Sequence, residues 1–90
     1  SKDELTTKKF LIEDVSFVNS IEYDNLSVQT RYNSDDVPCN IEKVDESTFQ
    51  IELKTPTLGV APGQFGVIYQ DTKLVGGGRI TSKVLEEVYE

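Results

Sequence analysis

The segment Asn25-Leu26-Ser27-Val28-Gln29-Thr30-Arg31-Tyr32-Asn33 alternates side-chain character without a break. Leu26, Val28, Thr30 and Tyr32 fall on one phase, and Ser27, Gln29 and Arg31 on the other. A period of two is the mark of a half-buried strand, because successive side chains point to opposite faces. The same period recurs on both sides of a polar break. Val37, Cys39 and Ile41 alternate with Pro38, Asn40 and Glu42; Phe49, Ile51 and Leu53 alternate with Gln50, Glu52 and Lys54. From Gln64 to Gln70 the phase is read as Phe65, Val67 and Tyr69 on the core side, opposite Gly66 and Ile68. Lys9 to Asn19 is apolar and β-branched enough to open the sheet, with Glu13-Asp14 marking a bulge or bend. A sixth strand begins near Lys73.

Between these runs lie turn formers: Tyr23-Asp24-Asn25, Asn33-Ser34-Asp35-Asp36, Asp45-Glu46-Ser47 and Gln70-Asp71-Thr72-Lys73. Connections this short favour antiparallel neighbours, since parallel pairs need a long crossover. The longer link, Thr55 to Gly63, leads into Ala61-Pro62-Gly63-Gln64. Those four residues fit a type II turn, with Pro62 presetting φ and Gly63 supplying a positive one. Gly76-Gly77-Gly78 weakens a strand, so it calls for a bulge, a barrel corner or the close approach of another backbone. The prediction is an all-β domain of six short antiparallel strands. Closing them into a small barrel, fully or partly, removes the edges a flat sheet would expose. Residues 1–8 read as a polar linker, 9–83 as the barrel, and 84–90 as an acidic tail or short helix.

Ninety residues make one domain. One cysteine excludes an internal disulfide and fits a reducing, cytoplasmic compartment. No apolar run nears the roughly 20 residues a membrane helix needs, so a soluble chain without a membrane partner is expected. There is no methionine, as in a piece cut from a longer protein. The chain carries a net charge of −7, which opposes autonomous binding of nucleic acid. The acids concentrate at the ends, however. From Asn25 to Lys83, seven acids face six bases, and a stretch at net −1 can still present one basic face.

The catalytic inventory is nearly empty. No histidine is present, which excludes Ser/His and Cys/His nucleophilic pairs. The triple glycine runs into Arg79-Ile80 in strand context, unlike a phosphate-cradling loop. No metal site, cofactor or catalytic residue is expected within these residues. Cys39 has the chemistry of a sulfur carrier, but its phase with Val37 and Ile41 places it in the core as a small hydrophobe. Phe49, Phe65 and Tyr69 are likewise assigned to the core. Tyr32, at a strand end, fits either packing or a stacking platform for bases.

Arg31-Tyr32, Val37-Pro38-Cys39, Ala61-Pro62-Gly63-Gln64, Tyr69 and Gly76-Gly77-Gly78 with Ile80 occur in an order that resembles the C-terminal barrel of the tRNA-specific 2-thiouridylase (MnmA/TrmU) family, from about Phe10 to Ile80. The resemblance implies a barrel similar to the second domain of elongation factors. It implies a parent enzyme that uses ATP to activate O2 of the wobble uridine in tRNA, with sulfur arriving as a cysteine persulfide from a donor protein. Catalysis there belongs to an N-terminal domain, and the barrel helps to hold tRNA and enclose the active site. On this reading Arg31, Gln64, Lys73 and Arg79 face the tRNA or the catalytic domain, with solvated surface residues as the open alternative. Tyr32, Cys39, Pro62, Gly63, Gly76, Gly77 and Gly78 are structural motif positions. Two other readings compete. Pro62-Gly63-Gln64-Phe65 with Arg79-Ile80-Thr81-Ser82 imitates the FAD-binding barrel of ferredoxin-reductase-like proteins, and a translation-factor-like interaction barrel shares the general pattern.

Overall fold

A computed structural model of the chain describes residues 5–18 and 22–89, apart from the Lys83 side chain. Six strands form: β1 (Leu5–Phe17), β2 (Leu26–Gln29), β3 (Val37–Lys43), β4 (Phe49–Thr57), β5 (Phe65–Gln70) and β6 (Lys73–Tyr89). They close into a barrel in the order β1-β4-β3-β2-β5-β6, with every neighbouring pair antiparallel. Hairpins join β2 to β3, β3 to β4 and β5 to β6. Strand β1 bridges β4 and β6 and completes the ring.

The expected turn chemistry is present. Asn25, Asn33 and Asp71 take positive φ in their turns, a conformation Asn and Asp tolerate better than most residues. Gly63 has φ 87°, and the Gln64 N–H donates to the Ala61 carbonyl at 3.3 Å, as a type II turn requires. The Asp45 carboxylate accepts from the Ser47 and Thr48 N–H groups at 3.0 and 2.8 Å. Those bonds hold its carboxyl below the usual carboxylate range, with the Ser47 N–H contributing most. Glu13-Asp14 is a bulge, as the acidic pair suggested. Asp14 has φ 54°, the register with β6 slips between Glu13 and Ser16, and the Val15 N–H turns to the Ser47 carbonyl at 2.9 Å.

Phe10, Ile12, Leu26, Val28, Cys39, Ile41, Phe49, Ile51, Leu53, Ile68, Val75 and Ile80 form the buried core. Phe17 closes one side of it, edge-on to Phe49 at 5.3 Å between ring centroids.

Three expectations need correction. Residues 84–89 are neither helix nor loose tail; they continue β6, whose outer half pairs with β1 from Phe10↔Val84 to Leu5↔Tyr89. Thr6 Oγ1 donates to the Val88 carbonyl at 2.6 Å and Lys9 pairs with Glu86 at 4.0 Å, so side chains of β1 tie this end of β6 in place. Leu5–Lys8, read from the sequence as part of a 1–8 linker, belong to β1. Ser1–Glu4, Asn19 and Glu90 lie outside the described residues. The phase of β5 is the reverse of the one assigned. Gly66 and Ile68 face inward, Phe65 is 61% exposed and Tyr69 is only partly buried. Both phases of Phe-Gly-Val-Ile-Tyr are apolar, so alternation alone left the choice open. Pairing Ile68 with Val28 and Gly76 settles it.

Cys39 sits where expected, 2% exposed and cross-strand from Leu53. Burial pushes its thiol up to about 12, opposed by the positive charge of Lys54. A thiol-specific disulfide reagent at pH 8 is therefore expected to label Cys39 only at the rate of barrel opening, and at once in denaturant. Because the unfolded thiol ionises near 9 and the folded one near 12, its contribution to stability is intact below pH 9 and is lost as pH rises across that window. A pH titration of the unfolding midpoint for the parent chain against Cys39→Ala measures it.

Candidate functional site

The β2–β3 connection is held tight by its own polar groups. The Ser34 N–H and Oγ donate to the Arg31 carbonyl at 3.2 and 2.7 Å, and Gln29 Nε2 donates to the Ser34 carbonyl at 2.8 Å. This places Arg31 and Tyr32 at the tip of the connection, with Tyr32 92% exposed. Of the two roles open to Tyr32, core packing is thereby removed.

The β4–β5 loop comes up beside that tip. Gly59 has φ 75°, and a Cβ there would stand 3.0 Å from the Arg31 guanidinium carbon. The positive φ favours glycine, and any side chain here would have to displace the guanidinium that lies against this backbone. Beyond it, the Pro62-Gly63 turn is tied to β6: the Gly63 N–H donates to the Ile80 carbonyl, and the Ile80 N–H to the Gln64 carbonyl, both at 2.8 Å. Those bonds present Gln64 and Phe65 beside Arg31. The Phe65 ring crosses over Gly77, where a Cβ would meet Cε2 at 2.6 Å. Gln29, Arg31, Tyr32, Gln64, Phe65 and Val67 then line an open groove of about 290 Å³.

Of the four residues singled out from the sequence, Arg31 and Gln64 meet in this groove. Arg79 does not join them. It lies cross-strand from Phe65 but donates through Nε to Glu13 Oε1 at 3.2 Å and through Nη2 to Asp14 Oδ2 at 2.9 Å. These bonds hold it beside the β1 bulge, in a second, larger cleft of about 560 Å³ that also exposes Asp45 and Ser82. Two carboxylates against one guanidinium leave no net positive charge there for a phosphate. Lys73 is paired with Gln70 at the far end of the β5–β6 hairpin. Five residues of strand separate it from the Phe65 level, about 17 Å at 3.3 Å per residue.

The triple glycine answers the question its sequence raised. A Cβ on Gly76 would stand 2.6 Å from the Ser16 carbonyl oxygen, one on Gly77 2.7 Å from that of Gly66, and one on Gly78 2.8 Å from that of Glu13. Close backbone approach at the seam of β1, β5 and β6 is the reason. Sequence reading missed Gly59 as the seat of Arg31, Gln29 as a groove residue, and the acids that claim Arg79. An arginine at a strand end and a glycine in a loop 28 positions further on carry no local signal of each other; only the folded loop joins them.

Residues 7–80 match the family of aminomethyltransferase β-barrel domains. The chain is 38% identical over 82 residues to a tRNA-specific 2-thiouridylase MnmA from Herpetosiphon aurantiacus, covering 90% of this chain and 23% of that protein. It is 36% identical over 81 residues to the MnmA of a Nitratiruptor species, covering 89% and 23%. For the MnmA of Proteus mirabilis the figures are 38% over 60 residues, 67% and 16%. The chain thus spans less than a quarter of the length of these relatives. The relatives bear out the resemblance to the thiouridylase barrel over the flavin-binding and translation-factor readings. Since the match runs from Thr7 on β1 to Ile80 on the closing strand, the chain belongs to the aminomethyltransferase β-barrel domain family, in the form carried by tRNA-specific 2-thiouridylases.

Proposed function

We propose that this barrel is the C-terminal accessory domain of a cytoplasmic, ATP-dependent tRNA 2-thiouridylase, where it helps to hold the tRNA and enclose the active site. The chemistry resides in an N-terminal catalytic domain, which binds ATP and receives sulfur from a persulfide donor protein; the barrel itself takes no chemical step. The observation that carries this reading is the family match over residues 7–80, joined to relatives named as tRNA-specific 2-thiouridylases. Two features of the chain support it. Its only thiol is buried and held protonated, which suits packing rather than sulfur transfer. Arg31 is exposed, with no acid in its groove.

Arg31→Glu in the parent protein tests the reading. The expected result is weaker tRNA binding across all tRNA sequences, and a slope of log affinity against log salt reduced by about 1. Affinity equal to wild type at low salt would remove the barrel from the tRNA interface. Arg79→Glu is a poor probe by comparison, because a third acid beside Glu13 and Asp14 disturbs the bulge first.

A further inference from the structure

We propose that the groove between Tyr32 and Phe65 stacks a single unpaired nucleobase of the bound RNA, with Arg31 taking the adjoining phosphate. The proposal rests on the tRNA reading above and names the part of the RNA this face receives. Scattered exposed aromatics are ordinary on protein surfaces. Here, however, two share one groove, and each is held there by backbone. The tight Arg31–Ser34 turn projects Tyr32, and Gly77 gives the Phe65 ring a surface to lie across. An unpaired base offers a π-face to such rings whatever its identity.

The charge pattern selects nucleic acid over an apolar peptide. Acids outnumber bases 16 to 9 in this chain. Even so, the six groove residues include no acid, and Arg31 makes no ion pair with any described residue. Its planar guanidinium, seated on Gly59, keeps its donors for a phosphate or a base face. Gln64 adds an amide able both to donate and to accept at a base edge. A volume of about 290 Å³ suits one base rather than a length of strand, at the lower edge of the ~300–1,000 Å³ range of small-ligand sites.

The test measures tRNA binding by the full-length parent protein at several salt concentrations. Tyr32→Ala is expected to weaken binding roughly tenfold, and Tyr32→Phe to restore it, because stacking needs the ring and not the hydroxyl. Phe65→Ala should act similarly and Phe65→Trp should bind at least as well as wild type. Neither alanine variant should change the salt slope, whereas Arg31→Ala should lower it by about 1. Tyr32 is almost fully exposed, so its truncation leaves the fold intact, and an unchanged melting temperature of the 90-residue chain checks this. Irradiation of 5-bromouridine-substituted tRNA bound to the protein should crosslink at Tyr32 or Phe65. Wild-type affinity for Tyr32→Ala, or crosslinks confined to other barrel residues, overturns the stacking site while leaving the tRNA reading intact. Unchanged tRNA affinity with a lower melting temperature of the full-length Tyr32→Ala protein assigns the groove to another protein domain and also overturns it. A wild-type parent that binds no tRNA defeats both readings.

Discussion

Alanine at Gly76 is expected to destabilise the barrel by about 2 kcal/mol, within the range for forcing extra atoms into a packed interior. For a domain of this size that lowers Tm by roughly 10 °C. The sign is the informative part. Gly76 does not have positive φ, and replacing a strand glycine whose backbone suits any residue ordinarily stabilises by about 0.4–1 kcal/mol through the unfolded state. Here the added methyl would lie 2.5 Å from Phe17 Cδ1 and 2.6 Å from the Ser16 carbonyl oxygen. The Phe17 ring can swing aside, but the carbonyl belongs to β1 where it pairs with β6, Ser16↔Gly77 and Phe17↔Gly76. Relief therefore means parting the two strands that close the ring. Thermal unfolding followed by far-UV circular dichroism decides the matter, and a raised Tm for Gly76→Ala would show that the seam has slack the geometry denies.

Phe10→Ala carries the largest expected loss, about 3–5 kcal/mol, the usual range for truncating a buried phenylalanine. Phe10 is fully buried on β1, cross-strand from Ile51 on β4 and Val84 on β6. Its ring therefore fills the interior at the strand that holds both halves of the barrel together. Against a total stability of roughly 5–15 kcal/mol for a small domain, that loss is a large fraction of the whole, and Tm is expected to fall by roughly 12–40 °C. Urea unfolding should show a much lower midpoint with an unchanged slope if the native state keeps its compactness. Phe10→Leu retains most of the volume and should lose far less. Equal losses for the two variants would mean that the aromatic shape, and not the filled volume, is what β1 requires.

These two sites also show why the candidate groove was only partly legible beforehand. Arg31 and Gln64 were identifiable because each stands in a short motif, Arg-Tyr at a strand end and Pro-Gly-Gln at a turn. Their meeting depends on the β4–β5 loop crossing to the β2–β3 tip, with more than 30 residues of chain between them. Arg79 looked equally available in sequence. Its engagement by Glu13 and Asp14 depends on a one-residue slip in β1 that turns both acids toward β6. The exposure of Phe65 has no local signal either, because its strand is apolar on both faces and only one face can be inside.

Alternation by itself determined that this chain makes six strands, that Val28, Cys39, Ile51 and Leu53 face inward, and that proline, glycine, asparagine and aspartate bend it where they do. Those outcomes depend on side-chain period and on φ, which are properties of a residue and its immediate neighbours. Tertiary structure decided the rest: the phase of β5, the extension of β6 to Tyr89, the partners of Arg79 and the shared groove of Tyr32 and Phe65. Each of these is a choice between local states of similar energy, made by hydrogen bonds and packing between strands that are distant in the chain.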